Sequence, residues 1–260
     1  KTKETVTNSD GKVHTTKYLY AHDLNQTEMI QRHLLAVPLE IQQKVDGQLM
    51  GGRKTDYDLF NNDIHPKQMY QILSDGTNRL RATIDSYHSG GTMRQYHLEG
   101  DQPVAYIWDQ DNQLPLSKVL NARWEEVAYT SFETEGQSAA ENGRFLLTGL
   151  AGGYESDAKT GRNAFKLYSS GPTNHRSVQH SLMLSGNYTL AFWYKGGTVQ
   201  VKLDGTTLET LPMVSNWTYV EVPIQGTFGA QISLSTVNGG GPLLDELRLF
   251  PIDAQMATYS

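Results

Sequence analysis

Apolar and polar residues alternate with a period of two along most of this chain, in short runs. Residues 188–195 read Tyr-Thr-Leu-Ala-Phe-Trp-Tyr-Lys and residues 243–250 read Leu-Leu-Asp-Glu-Leu-Arg-Leu-Phe, with glycine clusters bounding both. Aromatic, β-branched and leucine residues in that rhythm predict strands. In the second run Asp245, Leu247 and Leu249 fall at alternate positions, so a regular strand sets them on one face. A carboxylate in a core-facing row needs a cation, a basic side chain or a hydrogen-bond network to offset its desolvation.

The front of the chain carries the same rhythm. Residues 1–24 predict a hairpin, with Asp10-Gly11 as the turn and the alternating 13–20 stretch as the return strand. Asn25 and Glu28 have capping-box spacing, and Met29, Ile30, His33 and Leu34 suit the apolar side of one short helix over residues 26–35. From Val37 strands resume, interrupted by Asp46-Gly47 and Gly51-Gly52, and run through tyrosine-marked segments to Trp108. Beyond Ala128, strands are predicted at residues 129–133, 164–168, 180–183, 188–195, 198–203, 217–224, 231–235 and 243–250, with Asp204-Gly205 closing a hairpin. That succession, with glycine-rich turns and little helix, predicts an all-β chain: a β-meander over residues 1–127, a β-sandwich over 128–251, and a polar tail over 252–260.

Composition narrows the function classes. The 260 residues carry a net charge of −6 and no cysteine, with a pI near 5.7. No basic run tracks a phosphate backbone, which argues against nucleic acid as a partner. The absence of thiols excludes disulfides and thiolate metal sites. No run approaches the roughly 20 apolar residues of a membrane helix, so membrane insertion is not expected. Lys1 reads as the start of an excised piece of a longer chain, with flanking repeats as its neighbours.

Two resemblances follow from the motifs. Tyr87-His-Ser-Gly-Gly, Tyr96-His-Leu-Glu-Gly-Asp, Tyr106-Ile-Trp-Asp and residues 113–122 form a loose repeat of about ten residues. It resembles the YD-repeat (Rhs-type) proteins, particularly those of Bacteroidetes cell surfaces, over residues 14–130. It departs from that family where His follows Tyr87 and Tyr96 in place of Asp. The resemblance implies a curved sheet shell or spacer and a bacterial secreted or cell-surface location. Further on, Tyr129-Thr-Ser-Phe-Glu, Asp157-Ala-Lys-Thr-Gly, residues 186–194, Trp217-Thr-Tyr-Val and residues 244–249 follow one another as in the jelly-roll carbohydrate-binding modules.

That second resemblance implies a structural calcium ion, with Glu133 and Asp245 as carboxylate ligands and the loop from Asp157 to Gly161, Asp157 and Lys159 in particular, as the carbonyl donor. Calcium takes six to eight oxygens at about 2.3–2.6 Å, and a site between first and last strands would clip the domain's ends together. Alternatively, Glu133 and Asp245 are solvated or pair with Arg162 or Arg248. Sugar recognition needs aromatic faces and planar polar groups, and the candidates are Tyr154, Tyr168, His175, Arg176, Trp193 and Trp217. Alternation sets Trp193 on the face opposite Leu190 and Phe192. The aromatics have a second explanation, as cover for the sandwich edge.

Support for catalysis is thin. No phosphate loop, nucleophile elbow or zinc-protease helix is present, and the many carboxylates include no marked pair of the kind a glycosidase uses. His88 and His97 end equivalent repeat arms but lack a third zinc ligand. The expectation is a non-catalytic glycan-binding or adhesion module, the alternatives being a structural spacer and, more remotely, a glycoside hydrolase.

Overall fold

Short alternating runs joined by tight turns fold into antiparallel sheets, because each turn returns the chain beside the strand it left. A computed structural model describes residues 3–100, 102–109, 111–133, 144–149, 153–170, 175–237 and 241–259, and divides the chain into two compact units, Lys1–Asp101 and Gln102–Ser260.

The first unit is a meander. Strands β1 (Glu4–Ser9), β2 (Lys12–Leu19), β3 (Glu40–Val45), β4 (Gln48–Phe60), β5 (Asp63–Ile72), β6 (Asn78–Tyr87) and β7 (Met93–Leu98) lie in one sheet in chain order. The turn residues Asp10, Asp46, Asn61 and Asn62 adopt positive φ, as tight hairpins require. The helix is shorter than the sequence suggests, α1 (Thr27–Gln31), and its N-cap is Gln26 with no side-chain cap bond. Asn25 takes φ +52 and forms no capping box. His33, at φ +60, ends the helix as Leu34 N–H donates to Met29 O at 2.8 Å, which is Schellman geometry. Met29 from this helix packs with Ala21 and Leu39 in a small core.

The second unit begins with β8 (Pro103–Trp108) and β9 (Pro115–Leu120), and then β10 (Ala128–Thr130) enters a sandwich. Its further strands are β11 (Leu146–Leu147), β12 (Tyr154–Glu155), β13 (Ala164–Lys166), β14 (Tyr168–Ser169), β15 (His175–Arg176), β16 (Val178–Ser181), β17 (Gly186–Gly196), β18 (Val199–Leu203), β19 (Thr206–Leu211), β20 (Val214–Gly226), β21 (Gln231–Ser235) and β22 (Leu243–Pro251). One sheet runs β12-β13-β22-β17-β20 with β10 beside β22, and the other β11-β16-β21-β18-β19. Phe132, Phe145, Phe165, Phe192, Tyr194, Ile232 and Leu247 fill the space between the sheets. This is the jelly-roll sandwich that the sequence predicts.

Two features of this unit depart from the sequence reading. Residues 255–258, read as part of a polar tail, form β23 (Gln255–Thr258), which pairs antiparallel with β9. The segment from β8 to Val127 also belongs with this unit: Ala105, Ile107, Val119 and Val127 pack with Tyr129, Phe250 and Met256 in a second core. Burial against residues from the chain's far end outweighs the local repeat pattern there.

Candidate functional site

The sheet holding β22 turns one face to the core and one away from it, and cross-strand register fixes which side chains meet on the outer face. Trp193 on β17 lies opposite Tyr219 on β20 and opposite Asp245 on β22. The neighbouring row reads Tyr129, Arg248, Ala191 and Glu221 across β10, β22, β17 and β20. The Trp193 and Tyr219 rings lie 5.4 Å apart at 52°. Tyr219 donates its hydroxyl to Glu221 at 2.8 Å, and desolvation, reinforced by that carboxylate, pushes its pKa up to about 12.

Asp245 reaches this face through a bulge. Between Ala191 and Trp193 on β17, the facing β22 runs from Arg248 to Asp245 and so carries one residue too many; Glu246 takes φ +52 there. The extra residue flips the alternation. Leu244, Leu247 and Leu249 enter the core, whereas Asp245 stands beside Trp193 on the opposite face. The shared face expected for Asp245, Leu247 and Leu249 is therefore not formed.

Both carboxylates expected to ligate calcium hold one loop, residues 157–163. Asp245 Oδ2 accepts from Lys159 N–H (2.7 Å) and Thr160 N–H (2.9 Å). Glu133 Oε1 accepts from Arg162 N–H (2.7 Å) and Asn163 N–H (2.9 Å). Asp245 is fully buried, and burial pushes its pKa up to about 6 against the opposing pull of these amides. Among the described residues neither alternative ion pair is present: Arg248 pairs with Glu246 at 2.8 Å, and Arg162 meets Glu133 through its backbone N–H. Among the described residues no three acidic or imidazole groups gather as a metal cluster, so an ion bound here would draw on loop oxygens as well.

Glu246 anchors the same region. Its Oε1 accepts from Tyr129 Oη (3.0 Å) and Thr160 Oγ1 (2.9 Å), and its Oε2 from Arg248. Arg248 also donates to Thr258 on β23 at 2.9 Å. This buried network ties the strand, the loop and the final strand together.

The other candidates separate. Lys159, expected to offer its carbonyl, places Nζ 4.3 Å from the Trp193 ring centroid. Asp157 Oδ2 pairs with Lys195 Nζ at 2.7 Å. Tyr154 packs edge-on to Phe165 beside the core. Tyr168 and Arg176 face each other in the β14–β15 ribbon, guanidinium over ring at 5.2 Å, with His175 exposed next to them. Trp217 is half-buried, and its indole N–H is buried without an acceptor among the described residues. His97 is bonded to Asp85 at 2.9 Å.

Tyr219, Glu221 and Glu246 were not singled out from the sequence. Period-two spacing from Trp217 places Tyr219 and Glu221 on the tryptophan's face, so the signal was present. For Glu246 it was not, because a one-residue bulge leaves no mark in an alternating run.

No family model matches the chain, and no curated protein matches it. Among solved structures, the chain is similar to a family 35 carbohydrate-binding module from Clostridium thermocellum, at 18% identity over 42% of this chain and 88% of the module, TM-score 0.28. It is also similar to the CBM22-1 xylan-binding domain of Paenibacillus barcinonensis, at 14% identity over 51% of this chain and 94% of that domain, TM-score 0.35. A CBM35 from Cellvibrio japonicus aligns at 16% identity over 52% of this chain and 99% of the module, TM-score 0.34.

Proposed function

We propose that residues 128–251 are a non-catalytic carbohydrate-binding or adhesion module, carried by a secreted or cell-surface bacterial protein of the YD-repeat kind. The observation that carries this reading is the Trp193–Tyr219 pair on the sheet's outer face, flanked by Glu221 and Lys159. Aromatic faces take the apolar side of a sugar ring, and the adjoining carboxylate and ammonium groups take its hydroxyls. Affinity electrophoresis against a polysaccharide panel tests it. At least one glycan retards the protein and Trp193→Ala abolishes the shift; no retardation by any glycan rejects the reading.

The spacer reading has its own support, since Lys159 Nζ already covers one face of Trp193. A spacer binds no glycan either as the parent or as Lys159→Ala, which bares the ring. If the ammonium instead turns from the ring to a sugar hydroxyl, the parent binds glycan and the variant binds it more weakly.

A structural calcium ion is part of the proposal. Asp245 is a buried carboxylate with no cationic side chain upon it among the described residues, and Glu133 grips the same loop, so the two carboxylates and loop carbonyl oxygens suit a hard cation. The ion would neutralise Asp245 and fix the loop. A ligand bound only by the native state raises its stability by mass action, so adding calcium to chelator-treated protein raises the Tm. An unchanged melt removes the ion from the account.

A further inference from the structure

The first unit holds an open groove of about 910 Å³, within the usual range for small-ligand sites. Its floor is a register row across four strands: Tyr18 on β2, Ile41 on β3, Arg53 on β4 and Gln71 on β5, with Arg79 on β6 continuing the row. Thr16 and Gln43 line it one step along.

The sheet is shaped to keep this groove open. Opposite Gln43 and Lys44, β4 carries an extra residue, Met50, which is exposed. The two residues after it are glycines. Gly51 sits at φ +152, and a Cβ on Gly52 would fall 2.2 Å from the Ile41 carbonyl oxygen. Glycine at a bulge bends the strand and leaves backbone open to close approach.

Apart from Asp75, the polar side chains in the groove have no partner among the described residues. Lys54, Lys67 and Arg79 in this unit pair with Asp56, Asp58 and Glu99. Among the described residues Arg53 has no ion pair, and the side chains of Tyr18, Gln43 and Gln71 make no hydrogen bond. Asp75, at the rim, is held in its own turn, accepting from Thr77 N–H (2.9 Å) and Oγ1 (2.7 Å).

We infer that this groove is a second ligand site, and that its ligand is an acidic oligosaccharide whose carboxylate pairs with Arg53. Gln43 and Gln71 supply planar amides for adjacent hydroxyls, Tyr18 a ring for a sugar face, and the guanidinium a fork that matches a carboxylate. This goes beyond the reading of the sandwich and shares none of its residues.

The test uses the whole chain with tetramers of galacturonate, glucuronate and mannuronate, neutral tetramers of galactose, glucose and mannose, and a tetraglutamate peptide. At least one uronate tetramer shifts the backbone amide resonances of Tyr18, Arg53 and Gln71. Arg53→Gln, a change at an exposed residue with no partner to lose, weakens that binding roughly tenfold or more. Trp193→Ala leaves it unchanged, so failure of the sandwich site and failure of the groove read out separately. The inference falls if no uronate moves these amides, if the neutral counterpart binds equally well, if tetraglutamate binds as tightly as the sugar, or if Arg53→Gln has no effect.

Discussion

The two units are built from the same kind of strand and held together in different ways. In the first, Ala21, Met29 and Leu39 form the small core beside a broad sheet, and much of the side-chain bonding lies at the surface, as in Lys67–Asp58 and Arg79–Glu99. In the second, two sheets close over a continuous interior of phenylalanine, tyrosine and aliphatic residues. Area removed from water is the dominant favourable contribution to folding, so the sandwich stands on its interior. The meander relies more on strand pairing and turns. The lesson is that alternation alone does not set stability; what counts is whether a second layer covers the apolar face.

The sharpest way to break that contrast is to hollow the sandwich. Phe192 is fully buried between its sheets, and Phe192→Ala costs about 3–5 kcal/mol. Hydrogen exchange then accelerates across β17 and β20 while the amides of β4 and β5 keep their protection. Equal acceleration in both units would show that they unfold as one.

Acid separates them next. His180, 4% exposed, sets Nδ1 2.8 Å from the Arg144 carbonyl oxygen, and burial pushes its pKa down to about 4. Its contribution is whole above pH 6.5 and is lost as pH falls through about 4, roughly 3 kcal/mol in all. Asp245 has the opposite sign: raised to about 6, it contributes fully below 3.8 and loses that contribution as pH rises through 6, again roughly 3 kcal/mol. In chelator-containing buffer the two nearly cancel, leaving sandwich stability almost flat between pH 6.5 and 4. His180→Gln makes stability rise on acidification and Asp245→Asn makes it fall, as denaturant midpoints measured across that window will record. Parallel pH profiles for the two variants would refute the assignment.

The smallest effect belongs to the meander's surface. Lys67 and Asp58, at 3.2 Å, are 39% and 57% exposed, and such pairs contribute at most about 1 kcal/mol. Lys67→Ala moves the urea midpoint of the first unit little, and moves it less still in high salt.

What the sequence revealed follows from what alternation encodes. Residues 188–195 set Tyr188, Leu190, Phe192 and Tyr194 into the core at every second position, residues 243–250 keep that spacing only up to the bulge at Glu246, and the fold class followed from the number of such runs. β19, the return arm implied by the Asp204-Gly205 turn, was given no bounds because Thr206–Leu211 lies on an exposed edge, where few side chains need be apolar. β23 escaped because its partner, β9, lies more than a hundred residues earlier. Of the site, Trp193 was placed on the correct face by parity, and Glu133 and Asp245 do share a loop. The amide donors of that loop, and the flip of Asp245 at Glu246, depend on single backbone angles that no local pattern records.

The outermost strand of the meander carries one more implication. β1 is exposed along its whole length, pairs only with β2 among the described residues, and reads Glu-Thr-Val-Thr-Asn-Ser. A bare sheet margin is where copies of a protein stick together in fibrils. This strand is six residues long, mostly polar and charged at Glu4, so it offers a second copy of itself little dry contact on which to pair.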